Sequence, residues 1–382
     1  MILRTSENQN FNLLKNFDSI SPKKITTTTN LLINNDFFFK LNKNKLLNPR
    51  LVIEKKLNHT LAALEFFQLL LENQLTLDCI YSILIFEITQ VDFADNLGET
   101  KIFKDYKLQI KLFENLKDAI VNEKYNYLLN LGNIPLDYRN HIISWENYLF
   151  YLIKIFNKII QKYPLWNKLK PLVERRLIEY YHSIALDHMH NKPEEKIIKS
   201  YLIKKTYKRH LRIWKNTPKW VKHTDLWFNF LGDSISFLSP IFFSIELPKR
   251  VDYNFTLMMF KSYRAVGVLN VFLDDLLDID EDKKEGGINL IDQLLKNKYN
   301  QDFDLDPKTT NDEKLIIVLN KIINTIKSDI YYFSKKVNNK LLFIKLNLII
   351  KSMLSFYYYL GKFNNNKIIY LIENYLKLNA TE

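Results

Sequence analysis

The sequence predicts an all-α protein, and three observations carry that expectation. Glycine and proline are scarce, seven and ten in 382 residues, whereas sandwiches and wound sheets need many turn residues. After Leu51 apolar residues recur at intervals of three and four, the period of a helix with one buried face. Apolar residues make up 47% of the chain and charged residues 25%, enough to build a sizeable core.

The elements follow in chain order. Residues 1–50 read as a tail expected to lack fixed structure, because SPKKITTTTNLLINN is polar, low in complexity and without a sustained period. Residues 51–382 are expected to form one helical body, with no internal repeat and no dividing linker. LNHTLAALEFFQLLLENQ and LDCIYSILIFEITQVDFADNLGE are its first apolar helices, the second ending in acids. YLFYLIKIFNKIIQKYPLW, VERRLIEYYHSIALDHMH and, late in the chain, KLLFIKLNLIIKSMLSFYYYL carry the same period. Pro218, Pro240 and Pro248 are expected to break helices, and QDFDLDPKTTND, residues 301–312, to form a loop.

Charge and cysteine usage narrow the function classes. The net charge is +13, but only nine of the 55 basic residues are Arg, and abundant Asn, Lys, Ile, Phe and Tyr suggest an AT-rich coding bias. The Lys residues are spread along the chain rather than gathered on one face, so no nucleic-acid partner is expected; a phosphate-bearing substrate remains compatible with the excess. Cys79 is the single cysteine, which excludes an internal disulfide and a thiolate zinc site and fits a reducing, cytoplasmic setting. The N-terminal MILRTSENQNFNLL has no basic start and apolar core of a secretory signal. No stretch reaches the roughly 18 apolar residues of a membrane span, so no stable membrane insertion is expected.

The chemistry is concentrated in VFLDDLLDIDEDKKEGG, residues 271–287, where six acids fall in nine residues behind a run of apolar ones. Read as one helix, KSYRAVGVLNVFLDDLLDIDED is apolar on nearly all sides in its first two-thirds and should be buried there. Asp274, Asp278 and Asp282 are spaced four and four, drifting only about 40° per step around a helix, so they share a face. At roughly 6 Å and an effective dielectric of about 20, each neighbouring pair repels by about 3 kcal/mol. Acids at a helix C-terminus also oppose its dipole, which argues against a purely structural role. A divalent cation offsets both costs, and oxygen-only ligands select Mg²⁺, with Mn²⁺ possible. Mg²⁺ held by few carboxylates takes up substrate phosphate oxygens, which Lys283 and Lys284 could also reach. The competing reading is a solvated helix end closed by Gly286 and Gly287.

This stretch resembles the second metal motif of class I terpene synthases, within the wider isoprenoid synthase group. The pattern is Asn or Asp, Asp, an aliphatic, any residue, Ser or Thr, three residues, then an acid. Here it reads Asp274, Asp275, Leu276, Leu277, Asp278 and Asp282, with Asp278 in place of the usual Ser or Thr. Lys284, Glu285, Gly287 and Asn289 match the basic residue, acid, Gly and Asn that often follow. ELPKR, ending at Arg250, matches a turn that precedes this helix, and SFYYYLGKFNNNKIIY matches an aromatic helix, Gly361, a polar turn and a terminal Tyr370. A first acidic motif should end an earlier apolar helix; QVDFADNLGE supplies Asp92 and Asp95, with Val91 at the leading position and Glu99 one turn on. The phosphate-sensing Arg of the family falls at Phe228 and Asn229, where there is none.

The resemblance implies a single helical bundle of the isoprenoid synthase type, acting as a monomer or homodimer. It implies Mg²⁺-dependent ionisation and cyclisation of a prenyl diphosphate, farnesyl or geranylgeranyl diphosphate, with loss of diphosphate. Asp92, Asp95 and Asp274 would be the catalytic acids, the metal would sit on these three with Asp278 and Asp282, and Lys283, Lys284 and Tyr370 would hold the diphosphate. Two alternatives share the fold: a trans-prenyl diphosphate synthase, whose second aspartate motif GVLNVFLDDLLD also resembles, and a catalytically impaired terpene synthase-like protein. Elsewhere, His188 and His190 are two apart and point away from each other on a helix, Arg175 and Arg176 are expected in solvent, and most aromatics are expected to be plain core.

Overall fold

At the centre of the bundle lies a helix with almost no polar face. LDCIYSILIFE forms α2, Leu77–Glu87, and every residue from Cys79 to Glu87 is buried, as expected for a helix apolar all round. The computed structural model describes residues 22–34, 36, 38, 53, 60, 64, 75–89, 106–127, 136–187, 235–246, 267–285, 289–295, 306, 308–336, 350, 354, 370 and 373. Among these residues the regular structure is helical throughout, with no strand. None of the helices in that set is long and apolar enough to cross a membrane.

Thr76 caps α2, its backbone extended and its hydroxyl accepting the Cys79 N–H at 3.2 Å. At the other end Thr89 donates its hydroxyl to the carbonyls of Ile85 and Phe86, at 2.9 and 3.1 Å. Both bonds keep polar groups satisfied inside an apolar interior.

The surrounding helices are α1 (Pro22–Ile33), α3 (Tyr106–Asn122), α4 (Leu136–Ile160), α5 (Pro164–Asp187) and α6 (Ile235–Glu246). α2 packs against α1, α4 and α6; α5 packs against α3 and α6; and α3 also meets α4. α3 and α5 run antiparallel, since Lys117 pairs with Glu174 at 3.7 Å while Phe113 stacks on Tyr181 at 4.7 Å. α3 stops at Glu123, whose φ of 56° is left-handed, and the Lys124 N–H returns to the Asp118 carbonyl at 3.1 Å. Pro164 opens α5 at a position whose N–H would have no intrahelical partner.

Beyond α6 the chain is helical over 267–277 and continues as α7 (Ile279–Glu285), α8 (Leu290–Leu294) and α9 (Asn311–Lys336). Thr310 and Glu313 form a reciprocal cap on α9: Glu313 Oε2 accepts the Thr310 N–H at 2.9 Å, and Thr310 Oγ1 accepts the Glu313 N–H at 3.4 Å. Leu315, Val318, Leu319, Ile322, Ile323 and Ile326 turn one face of α9 into the common core. That core is strongly aromatic, with edge or tilted contacts between Phe86 and Phe156 and between Phe156 and Trp166, at 5.5 and 5.8 Å.

Four expectations are corrected here. Residues 22–33 are helical rather than structureless, because Leu32 is fully buried and its carbonyl accepts the Tyr148 hydroxyl at 3.3 Å. Pro240 lies inside α6 instead of breaking it. Burial of Leu238, Ile241, Phe242, Phe243 and Ile245 around it offsets the missing backbone donor. Arg176 is buried, not solvated; it donates to Glu179 at 3.0 Å, and the two side chains are 3% and 2% exposed. Finally, the acidic segment is not one straight helix, for it bends at Asp278.

Candidate metal and diphosphate site

The helix over 267–277 delivers the acidic segment to the surface by burying its other side. Val268, Leu269, Val271, Phe272, Leu273 and Leu276 are buried, while Asp274 is exposed and Asp275 half-buried. The helical bonding pattern continues through the bend: the Asp278 N–H donates to the Asp274 carbonyl at 3.0 Å, and the Asp282 N–H to the Asp278 carbonyl at 2.8 Å. Asp274, Asp278 and Asp282 therefore remain one turn apart in sequence register, the first two exposed and the third half-buried.

Asp275 and Asp282 bind to the next helix and its N-terminal cap. Asp275 Oδ2 accepts the Leu290 N–H at 2.6 Å, satisfying a backbone donor at the start of α8. Asp282 Oδ2 accepts an N–H of the Asn289 amide at 2.7 Å. Asn289 also donates to the Asp275 carbonyl at 2.5 Å and accepts the Asp292 N–H at 3.1 Å, so it is the N-cap of α8. Buried to 3% exposure, Asn289 joins both halves of the acidic segment to the next helix.

The basic candidates are in solvent. Lys283 Nζ lies 3.7 Å from Asp292 Oδ1, both side chains substantially exposed, a pair contributing at most about 1 kcal/mol. Lys284 is exposed one residue on. Tyr370 is helical and 53% exposed. Asp92 and Asp95, with Val91 and Glu99, lie outside the described residues, as do Phe228, Asn229, Gly286, Gly287, Gly361, His188 and His190.

Among the described residues no three His, Cys, Asp or Glu side chains gather closely enough to enclose a metal ion. The side chains of Asp274, Asp278 and Asp282 offer only oxygen donors, the first two exposed and the third half-buried. That chemistry fits a hard cation such as Mg²⁺, which keeps its waters and takes phosphate oxygens, rather than a cation caged wholly by protein.

A second carboxylate cluster escaped the sequence reading. At the start of α2, Glu246, the last residue of α6, accepts both the N–H and the hydroxyl of Thr76, at 2.9 and 2.7 Å. Asp78 Oδ2 accepts the Tyr163 hydroxyl at 2.9 Å and lies 3.4 Å from Lys162 Nζ. Burial, then the neighbouring Glu246 carboxylate, push the Cys79 thiol well above its ordinary range, leaving it protonated and inert at neutral pH. Burial and the bond to Asp78 likewise push the Tyr163 hydroxyl up. Thr76 and Asp78 were legible as a helix start, but nothing local pairs Thr76 with a residue 170 positions away.

Compared with models of known protein families the chain matches none, and it matches no curated protein sequence. The resemblance to class I terpene synthases thus stands on the acidic segment and its flanking residues.

Proposed function

We propose that the chain is a class I terpene synthase acting on a prenyl diphosphate, farnesyl or geranylgeranyl diphosphate. The observation that supports this reading best is the pair Asp274 and Asp278, exposed one helical turn apart at the end of a helix buried along its other side. An acidic run serving only to terminate a helix has no need of carboxylates there, where they repel each other and oppose the helix dipole.

In this reading Asp274 and Asp278, with Asp282 from the next turn and Asp92 and Asp95 from the first acidic motif, would hold Mg²⁺ together with the substrate's phosphate oxygens. Bound there, Mg²⁺ would neutralise the charge that develops on the departing diphosphate. The bond that breaks is the one between the allylic carbon and the diphosphate oxygen, and its electron pair leaves with the diphosphate. The resulting cation is attacked by a double bond of its own chain, closing a ring, and loss of a proton gives the neutral olefin. Lys283, Lys284 and Tyr370 bind the diphosphate oxygens, Lys283 exchanging its exposed partner Asp292 for them. Apolar and aromatic side chains exclude water from the cation and face it with their rings. The acidic side chains orient the leaving group; none needs to act as a base to start the reaction.

Incubation of the purified protein with geranyl, farnesyl and geranylgeranyl diphosphates and Mg²⁺, followed by analysis of volatile products, tests the proposal. Cyclic or linear hydrocarbons with release of diphosphate are expected. Elongated prenyl diphosphates, formed when isopentenyl diphosphate is added, would instead identify a chain-elongating synthase. No turnover of any of them would contradict the proposed activity.

A further inference from the structure

We propose that the corner of the bundle formed by the C-terminal end of α4 is a docking surface for anionic lipid headgroups, by which the protein attaches reversibly to a membrane face. Over its last turns α4 sends Leu152, Ile153, Phe156, Ile159 and Ile160 into the core. What it shows to solvent there is Lys154 and Lys158, and the chain runs on in the same register to Gln161 and Lys162, all four exposed. Helical bonding carries into the turn, the Gln161 N–H donating to the Asn157 carbonyl at 3.1 Å and the Lys162 N–H to the Ile159 carbonyl at 3.2 Å. The three lysines therefore form one stripe, each about 6 Å along from the last. Two more join it. Lys154 Nζ lies 4.9 Å from the centre of the Tyr125 ring and Gln161 donates to Glu123 at 2.6 Å, which sets the exposed Lys124 beside the stripe. Lys168 is exposed near the start of α5. Lysines spread along the sequence are thus gathered by the fold.

The stripe differs from an ordinary solvated helix face. Such a face sets acids one turn from its lysines, whereas these lysines are one turn from each other and repel. The helix dipole favours a cation in the last turn, which accounts for Lys158, but its effect fades before Lys154. The acids at this corner are engaged within the chain: Glu123 by Gln161, Asp78 by Tyr163 and Lys162, and Glu246 by Thr76. Leu77, beside Asp78 at the start of α2, is 38% exposed. A bilayer face matches both parts, its anionic headgroups attracting the flexible lysines and its interfacial layer taking an apolar side chain. A nucleic-acid backbone would match the lysines alone. The attachment is independent of the acidic segment and of the proposed activity.

Flotation of the full chain with phosphatidylcholine vesicles, with and without about one-third phosphatidylserine, tests the surface. Binding should require phosphatidylserine and fall steeply as salt is raised. Lys154→Gln/Lys158→Gln/Lys162→Gln should weaken it by at least about tenfold without lowering the melting temperature. Lys111→Gln/Lys327→Gln/Lys335→Gln removes the same charge elsewhere and should stay within about threefold. Leu77→Ser should weaken binding about threefold and leave its salt dependence unchanged. Equal binding to both vesicles, or equal losses in the two triple variants, would overturn the proposal. So would tighter binding of duplex DNA through Lys154, Lys158 and Lys162 at the same salt, which would make nucleic acid the partner.

Discussion

Two carboxylate-rich regions of this molecule look alike in composition and differ in what their acids do. At the start of α2, the accepting oxygens of Asp78 and Glu246 are taken by Tyr163, Lys162 and Thr76. These contacts join the last residue of α6, the first turn of α2 and the α4–α5 turn in one corner. In the acidic segment, Asp275 and Asp282 are similarly engaged by Leu290 and Asn289, while Asp274, Asp278 and Asp280 are exposed on the same few turns. On the proposed function, the difference sets acids that anchor the fold apart from exposed acids that would meet a ligand, with Asp282 serving both. Removing the first kind should cost stability, and removing the second should cost binding while leaving stability alone or raising it.

The sharpest test of the first kind is the Arg176–Glu179 pair, its side chains 3% and 2% exposed. Arg176→Met leaves a buried carboxylate without its cation and should destabilise by about 3–5 kcal/mol in urea denaturation. Adding Glu179→Leu should restore most of that loss; a double variant as unstable as the single one would show that the pair is not an isolated unit.

Glu246→Ala comes next. It removes two bonds to Thr76 from a charged acceptor at a helix N-terminus, and about 2 kcal/mol should be lost. Retained stability would remove this corner from the comparison.

The same corner should show in alkaline solution. Tyr163 is pushed above its ordinary value by burial and by its bond to Asp78. Tyr81, buried beside Tyr151, is pushed up to about 12. Each group binds its proton more tightly in the folded chain than in the unfolded one. Its contribution to stability is complete below the unfolded value near 10 and is lost as pH rises through the folded value. Unfolding monitored between pH 9 and 12 should therefore show a falling limb, and Tyr163→Phe should flatten it while costing about 1 kcal/mol at neutral pH.

The smallest effects on stability belong to the exposed acids. Asp278→Ser restores the residue usual in the resembling motif and removes one repulsive charge. It should change stability by no more than about 0.5 kcal/mol and raise the Mg²⁺ concentration needed for turnover without abolishing it. Complete loss at saturating Mg²⁺ would assign Asp278 another role.

How much of this was legible in the sequence follows from the range of the interactions. The helical class came from periodicity, and α2 was readable because LDCIYSILIFE is apolar on every side. The placement of VFLDDLLD behind a buried helix was equally local: Phe272, Leu273 and Leu276 are buried and Asp274 exposed. What escaped depends on partners distant in sequence. α1 reads as polar until Leu32 meets Tyr148, 116 positions on. Arg176 reads as a surface residue because its pairing with Glu179 matters only once α5 is packed against α3 and α6. Pro240 breaks an isolated helix, yet within α6 it is surrounded by buried apolar neighbours. At the candidate site the sequence marked the acids and Asn289, but not the bonds between them, which depend on the turn that brings Asn289 back onto Asp275 and Asp282.

The central claim is that Asp274 and Asp278 present their carboxylates to a metal–diphosphate complex, and the melting temperature tests it most directly. Mg²⁺ and inorganic diphosphate added together should raise it in the wild type by more than the sum of their separate effects, because each completes the other's coordination. The joint increment should vanish in a folded Asp274→Ala/Asp278→Ala variant and when EDTA is present. Equal stabilisation by diphosphate with EDTA, or an undiminished joint increment in the double variant, would contradict the claim.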